Sequence, residues 1–312
     1  MKEESLRSKF RGSLLGTAVG DVLGMPVEGM NYIQIQRVHG RLTELKDARL
    51  PRGTYTDDTQ LMIALAECLA ANKGVNQDDL ARRFVEIYDN FRGYGVIIKN
   101  FVALMDLGWS WRKVTKKILD TFNSSWNGSA MRVAPVGALY ANDLAALKKA
   151  ARASGEVTHC GALAQDGCML QALAVGLAMR AEGGKGFDGS RFLKELLAAA
   201  REEVHTRRLR KVEELLHGKP SLYEVIKAIG NTVEVQNSVP TAIYCFLRSP
   251  DSFEETVTYA VGLGGDADTI GAMAGAISGA LNGVEAIPTR WLDGLEERGR
   301  IAGLADKLFD LA

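Results

Sequence analysis

The chain has 312 residues, with 38 Lys and Arg against 38 Asp and Glu, 46% hydrophobic and 7% aromatic residues, 33 glycines and 7 prolines. That is enough apolar sequence to bury a full core, and it excludes a disordered chain. A net charge of zero, with acids and bases interspersed, removes the sequence-independent attraction that nucleic-acid and anionic-membrane binders depend on, so neither partner is expected.

Period-two runs of β-branched and aromatic residues are almost absent, whereas the i, i+3, i+4, i+7 pattern recurs throughout, so the fold class is all-α. In chain order, Gly12, Gly16, Gly20 and Gly24 recur every four residues in RGSLLGTAVGDVLG. Next comes Thr56-Asp57-Asp58-Thr59, ahead of the apolar run LMIALAECLA, with Thr56 or Asp57 as N-cap. A helix over 78–91 carries Leu80, Phe84, Ile87 and Phe91 on one face. Another over 144–153 follows a cap at Asn142 or Asp143, and 167–180, apolar nearly all round, is a central helix.

The polar stretch 183–218 reads as a surface loop and a solvated helix face. Ser252 and Glu255 have capping-box spacing for a helix to about Gly262. A second ridge, Gly271, Gly275, Gly279 and Gly283, closes the series. The most membrane-like run, 270–281, is far shorter than the roughly 20 residues of a spanning helix and reads as a buried core helix. No composition break divides the chain, so one domain over 1–312 is expected, and without a heptad seam a monomer. Cys68, Cys160, Cys168 and Cys245 form no CxxC pair, and the opening MKEESLRSKF has no apolar stretch for secretion, which predicts a reduced, cytoplasmic protein without a cysteine zinc site.

Each glycine inside a helix costs about 0.8 to 1 kcal/mol relative to alanine, so a four-glycine ridge gives up roughly 3 to 4 kcal/mol of propensity. Very close helix approach is the compensation such ridges permit. Asp21 follows Gly20 directly, and Gly264-Gly265-Asp266-Ala267-Asp268-Thr269 opens the second ridge. This cluster repeats the form of the first: acids and a threonine at a helix start. Either alone is an ordinary helix start, since Asp and Thr satisfy free amides there. Four carboxylates gathered together would repel, and no Lys or Arg lies in either motif. Hard divalent cations with oxygen ligands are the natural counter-charge, and this many ligands suits two ions. The residues alone leave a two-metal phosphohydrolase open.

In order, GSLLGTAVGDVLGMPVE (12–28), TYTDDTQ (54–60), NGSAMRVAPVG (127–137), VTHCGALA (157–164) and LGGDADTIGAMAGAISGALNG (263–283) resemble the ADP-ribosylhydrolase family, that of the dinitrogenase reductase-activating glycohydrolase. SVPTAIYCFLRS (238–249), GYG (93–95) and LQALAVGLAM (170–179) are similar to the branch acting on poly(ADP-ribose), O-acetyl-ADP-ribose and serine-linked ADP-ribose.

The resemblance implies an all-α fold with two Mg2+ or Mn2+ ions at the base of a cleft, and hydrolysis at the anomeric carbon of the distal ribose of ADP-ribose. It implies metal ligation by Thr56, Asp57, Asp58, Asp266, Asp268 and Thr269, and catalysis by Glu28, Asp57 and Asp58. Asp21 would orient ligands. Ser124, Ser125, Trp126, Asn127, Gly128 and Ser129 match the pyrophosphate loop, shorter here and poorer in glycine. His159 matches a cleft histidine and Phe122 an aromatic packed on adenine, while Met131 and Arg132 brace the loop. An oxygen-linked acceptor is expected. Arginine-linked ADP-ribose, or a catalytically silent ADP-ribose-binding relative, is the alternative.

Overall fold

Helices supply nearly all regular structure among the residues that the computed structural model describes, 3–122 and 125–312. The N-terminal half holds α1 (Glu3–Gly24), α2 (Tyr32–Val38), α3 (Asp57–Asn72), α4 (Gln77–Glu86), α5 (Val96–Asp106), α6 (Trp111–Phe122), α7 (Ala134–Leu139) and α8 (Leu144–Glu156). There follow α9 (Ala162–Arg180), α10 (Gly189–Ala199), α11 (Glu203–Leu216), α12 (Leu222–Ile229) and α13 (Val235–Arg248). The chain ends with α14 (Phe253–Gly262), α15 (Ala267–Asn282), α16 (Thr289–Asp293) and α17 (Arg298–Phe309). Among the described residues, β pairing is confined to two isolated bridges, Asn31 with Gly264 and Trp126 with Glu234. The fold is all-α, as the periodicity predicts.

Local capping explains most boundaries. Thr56, Asn76, Asp143 and Ser252 each accept a backbone N–H of the following turn. Asp143, not Asn142, therefore caps α8. The box at Ser252 is half formed, because the Glu255 carboxylate accepts from Arg41 2.5 Å away.

Three expectations need correction. The helix expected over 78–91 ends at Glu86: the Asp89 side chain accepts the Phe91 amide and starts a short turn, Asn90–Arg92, leaving Phe91 81% exposed. By length and composition the most membrane-like helix is α9, not 270–281; it begins at Ala162 and is mostly buried in the core. The stretch 183–218 is not merely a loop and a solvated face. It forms α10 and α11, which bury Phe192, Leu193, Leu196, His205, Leu209 and Val212.

The two glycine ridges are each other's partner. A Cβ added at Gly12, Gly16 or Gly20 would overlap the carbonyl oxygen of Gly279, Gly275 or Gly271 respectively, and the reverse holds on the other ridge. Helices α1 and α15 therefore run antiparallel with backbones in contact. Burial of Leu14, Leu15, Ile270, Met273 and Ile277 around the seam offsets the lost propensity, at about 1.5 to 3 kcal/mol per large side chain. The antiparallel crossing sets the C-terminal end of α1, with Asp21 and Gly24, against the N-terminal end of α15. A Cβ on Gly24 would overlap the Asp268 backbone.

Candidate metal and ligand site

The acidic wall is assembled by Asp21. Its fully buried carboxylate accepts the Thr56 amide (3.0 Å), the Thr59 amide (3.1 Å) and the Thr59 hydroxyl (2.6 Å), so α1 holds the first turn of α3 beside the start of α15. That turn carries Thr56, Asp57 and Asp58. Thr56 Oγ1 donates to Asp58 Oδ2 (3.1 Å), whereas Asp58 Oδ1 is buried without a hydrogen-bond partner among the described residues.

Opposite, Gly264 and Gly265 both adopt positive φ, +70° and +69°, and a Cβ on Gly265 would overlap the Asn231 carbonyl. Only glycine makes this turn at low cost. It lets Gly265 exchange backbone hydrogen bonds with Gly29 and Met30, each 2.8 Å, and aims Asp266, Asp268 and Thr269 into the cleft.

Glu28 stands at the end of the turn Met25–Val27, and one oxygen each from Glu28, Asp266 and Asp268 lie within 4.8 Å of one another. Arg49 Nη2 donates to Glu28 Oε2 at 2.8 Å and lies 3.7 Å from Asp268 Oδ2. The sequence reading missed Arg49, which sits in an irregular loop outside both acidic motifs.

Of the six carboxylates gathered here (Asp21, Glu28, Asp57, Asp58, Asp266 and Asp268), Glu28, Asp57 and Asp268 interact with this guanidinium. Burial, followed by repulsion from Asp21, pushes Asp57 up to about 8. Burial raises Asp266 to about 7 and Asp21 to about 6, against the lowering effect of hydrogen bonds from Asn127 and from Thr59 and Thr56. Asp58 and Asp268 are raised well above the usual carboxylate range, by burial first and by neighbouring acids second. An all-oxygen donor set, an orphaned buried oxygen on Asp58 and this excess of negative charge fit a hard divalent cation and not zinc.

The facing wall is the segment after α6. Ser125 O accepts the Val235 amide (2.7 Å), Trp126 bridges to Glu234, and the Asn127 amide donates to Val233 O (3.0 Å). Asn127 Nδ2 donates to Asp266 Oδ2 (2.6 Å) and to Ser238 Oγ (3.0 Å), tying the two walls together. Gly128 lies against the His159 ring, where a Cβ would come within 2.8 Å of Cε1.

Ser129 is fully buried behind this surface, its hydroxyl without a hydrogen-bond partner among the described residues. Phe122 is 37% exposed at the end of α6, its ring 6.4 Å from that of Trp126. Ser124 lies outside the described residues. His159 is held near a pKa of about 3 by burial and by Arg132, so it is neutral. Arg132 is fully buried, donates to Gly128 O (2.7 Å) and stacks over Phe84, which makes it a brace for the loop.

The cleft between the walls is lined by Glu28, Asp57, Asp58, Asp266, Asp268 and Thr269 on one side and by Trp126, Asn127, Gly128, Met131 and His159 on the other. Val96, Ile97, Ile98 and Val233 complete it with apolar surface that no motif announced. The acids can hold cations and bring oxygens of a ligand onto them.

The family model for ADP-ribosylglycohydrolase matches residues 2–312. The chain is 34% identical to ADP-ribosylhydrolase ARH3 of Homo sapiens, over 97% of this chain and 94% of that protein. It is 27% identical to ADP-ribosyl-[dinitrogen reductase] glycohydrolase of Rhodospirillum rubrum, over 95% and 93%. A solved structure described as an ADP-ribosylglycohydrolase-related protein complex superposes with a TM-score of 0.79 at 28% identity, covering 99% of each chain.

Proposed function

The chain belongs to the ADP-ribosylglycohydrolase family, and on that premise we propose that it is an ARH3-like hydrolase releasing ADP-ribose from oxygen-linked acceptors: serine-ADP-ribose, O-acetyl-ADP-ribose or poly(ADP-ribose). The observation that carries this reading is the convergence of two buried acid and hydroxyl clusters, from α3 and α15, on one cleft whose other wall is Asn127, Gly128 and His159.

Thr56, Asp57, Asp58, Asp266, Asp268 and Thr269 would hold two Mg2+ or Mn2+ ions, which when bound neutralise the acids and orient the hydroxyls of the distal ribose. Asp21 fixes the α3 ligands through the Thr56 and Thr59 amides. Asn127 fixes one oxygen of Asp266. Outer contacts of this kind set ligand orientation and metal affinity.

Glu28, the exposed member of the acid group, serves as acid for the departing oxygen or as base for water. Water oxygen bonds to the anomeric carbon, the bond to the acceptor oxygen breaks, and that oxygen takes the proton. Asp57 and Asp58 are the alternative carboxylates for that proton transfer.

The reading is tested by ADP-ribose release from serine-linked and arginine-linked peptides, with Mg2+ and with chelator. Release from the serine peptide with Mg2+ alone supports it. Preference for the arginine peptide would favour the arginine-linked alternative instead. Binding of ADP-ribose without release from either peptide would indicate a silent relative.

A further inference from the structure

Arg132 is a fully buried guanidinium with no carboxylate partner among the described residues. Its Nη2 donates to Thr158 Oγ1 at 2.8 Å and to Ser154 O at 3.2 Å. Thr158 is 1% exposed, and its hydroxyl has one other neighbour among the described residues, His159 Nδ1 at 2.8 Å.

A guanidinium cannot accept a hydrogen bond, so Thr158 Oγ1 accepts from Arg132 and its own hydrogen must go elsewhere. Were Nδ1 protonated, the hydroxyl would receive two donors and its buried hydrogen would have no acceptor, at about 1 to 3 kcal/mol. The arrangement that satisfies both the hydroxyl and the ring nitrogen sends the hydroxyl hydrogen to Nδ1. A neutral imidazole accepting at Nδ1 carries its proton on Nε2. Nε2 has no protein partner among the described residues, and its edge of the ring lies against Gly128 in the cleft. The depressed pKa of His159, from burial and then from Arg132, keeps the ring neutral.

We propose that Arg132 and Thr158 are positioning residues that lock His159 as its Nε2–H tautomer, making the imidazole a standing donor to an acceptor oxygen of the bound ligand and never a base. The inference rests on the reading that the cleft receives ADP-ribose, whose phosphate and ribose oxygens are such acceptors. It also accounts for a buried arginine without a counter-ion: the positive charge stands behind the surface that an anionic ligand would meet.

The test is 15N imidazole NMR of the full chain, with His159 assigned through His159→Gln, run beside calorimetric titration of ADP-ribose with Mg2+. Wild type and Thr158→Ser are expected to show the proton on Nε2 and to bind within about twofold of each other. Thr158→Val should mix the tautomers and weaken binding about tenfold. A wild-type proton on Nδ1 overturns the relay, even if Thr158→Val does not fold. So does a Thr158→Val protein that binds more weakly with its tautomer unchanged, or that keeps both tautomer and affinity. No binding of ADP-ribose by wild type would overturn the proposed function instead, whatever the tautomer.

Discussion

The two walls of the cleft are built on opposite electrostatic terms. On the side of α1, α3 and α15 stand six carboxylates, three of which (Glu28, Asp57 and Asp268) interact with Arg49, and burial raises the pKa of Asp21, Asp57, Asp58, Asp266 and Asp268. On the loop side a buried arginine has no acid partner among the described residues, and its hydrogen bonds go to carbonyls and a hydroxyl. One wall gathers negative charge that a cation would relieve; the other carries a buried positive charge bound to carbonyls and a hydroxyl. A ligand with vicinal hydroxyls at one end and a diphosphate next to it matches both.

The largest expected effect comes from removing that negative charge at its source. Asp58→Ala or Asp268→Ala should lower ADP-ribose release by about a thousandfold and abolish the heat of Mg2+ binding in calorimetry. Retention of a tenth of wild-type turnover would break the division between the walls.

Next in size is separation of the acidic wall itself. Gly20→Ala puts a methyl where the Gly271 carbonyl stands and should cost about 3 kcal/mol, read from denaturant unfolding. An unchanged midpoint would mean that the seam is not what holds the two acid clusters together. Glu28→Gln is expected to lower turnover about a hundredfold at saturating Mg2+ while metal affinity changes little, since its role is proton transfer. Full turnover in that variant would move the acid to Asp57 or Asp58. Gly128→Ala, which presses on the His159 ring, should weaken ADP-ribose binding about tenfold through the lost donor.

A pH series sharpens the comparison without mutation. Asp21, Asp57 and Asp266 have folded-state values of about 6, 8 and 7, against about 3.9 for aspartate in an unfolded chain. The native state therefore binds more protons than the unfolded state between these limits, and its stability falls as pH rises. The melting temperature of chelator-treated protein should drop from pH 5 to pH 8, with Mg2+ restoring most at the alkaline end. A metal-free protein as stable at pH 8 as at pH 5 would show that the acids are not mutually strained.

How much of this could be read in advance differs between the walls. The acidic clusters are legible because each is short and contiguous and opens an apolar helix. The ridges are legible as sites of close approach, but four-residue periodicity does not say that Gly12 meets Gly279 while Gly24 meets Asp268; that pairing is tertiary. Arg49 reaches Glu28 from a loop without periodicity, and no local pattern marks it. Phe91 was placed on a buried face because hydrophobic spacing carried the helix past Ile87, where the Asp89 cap starts a new turn.

His205 hides in REEVHTRRLRKVEE, yet it is fully buried against Asp166 at 2.9 Å, and Asp166 also accepts the amides of Arg201 and Glu202. It shares a buried face with Leu209 and Val212, but a histidine gives that i, i+4, i+7 set only two apolar members in a charged helix, too weak a period to read. On the loop wall, NGSAMR is legible as a motif, but the relay behind it joins residues 128, 132, 158 and 159 through side chains that only the fold brings together.

The central claim is that the acidic wall needs its cations before the loop wall can be used. The most direct test is calorimetric titration of ADP-ribose into the same protein, first with chelator and then with saturating Mg2+. The account predicts at least about a hundredfold tighter binding with Mg2+, a coupling of about 2.7 kcal/mol. Equal affinity in the two conditions would contradict it.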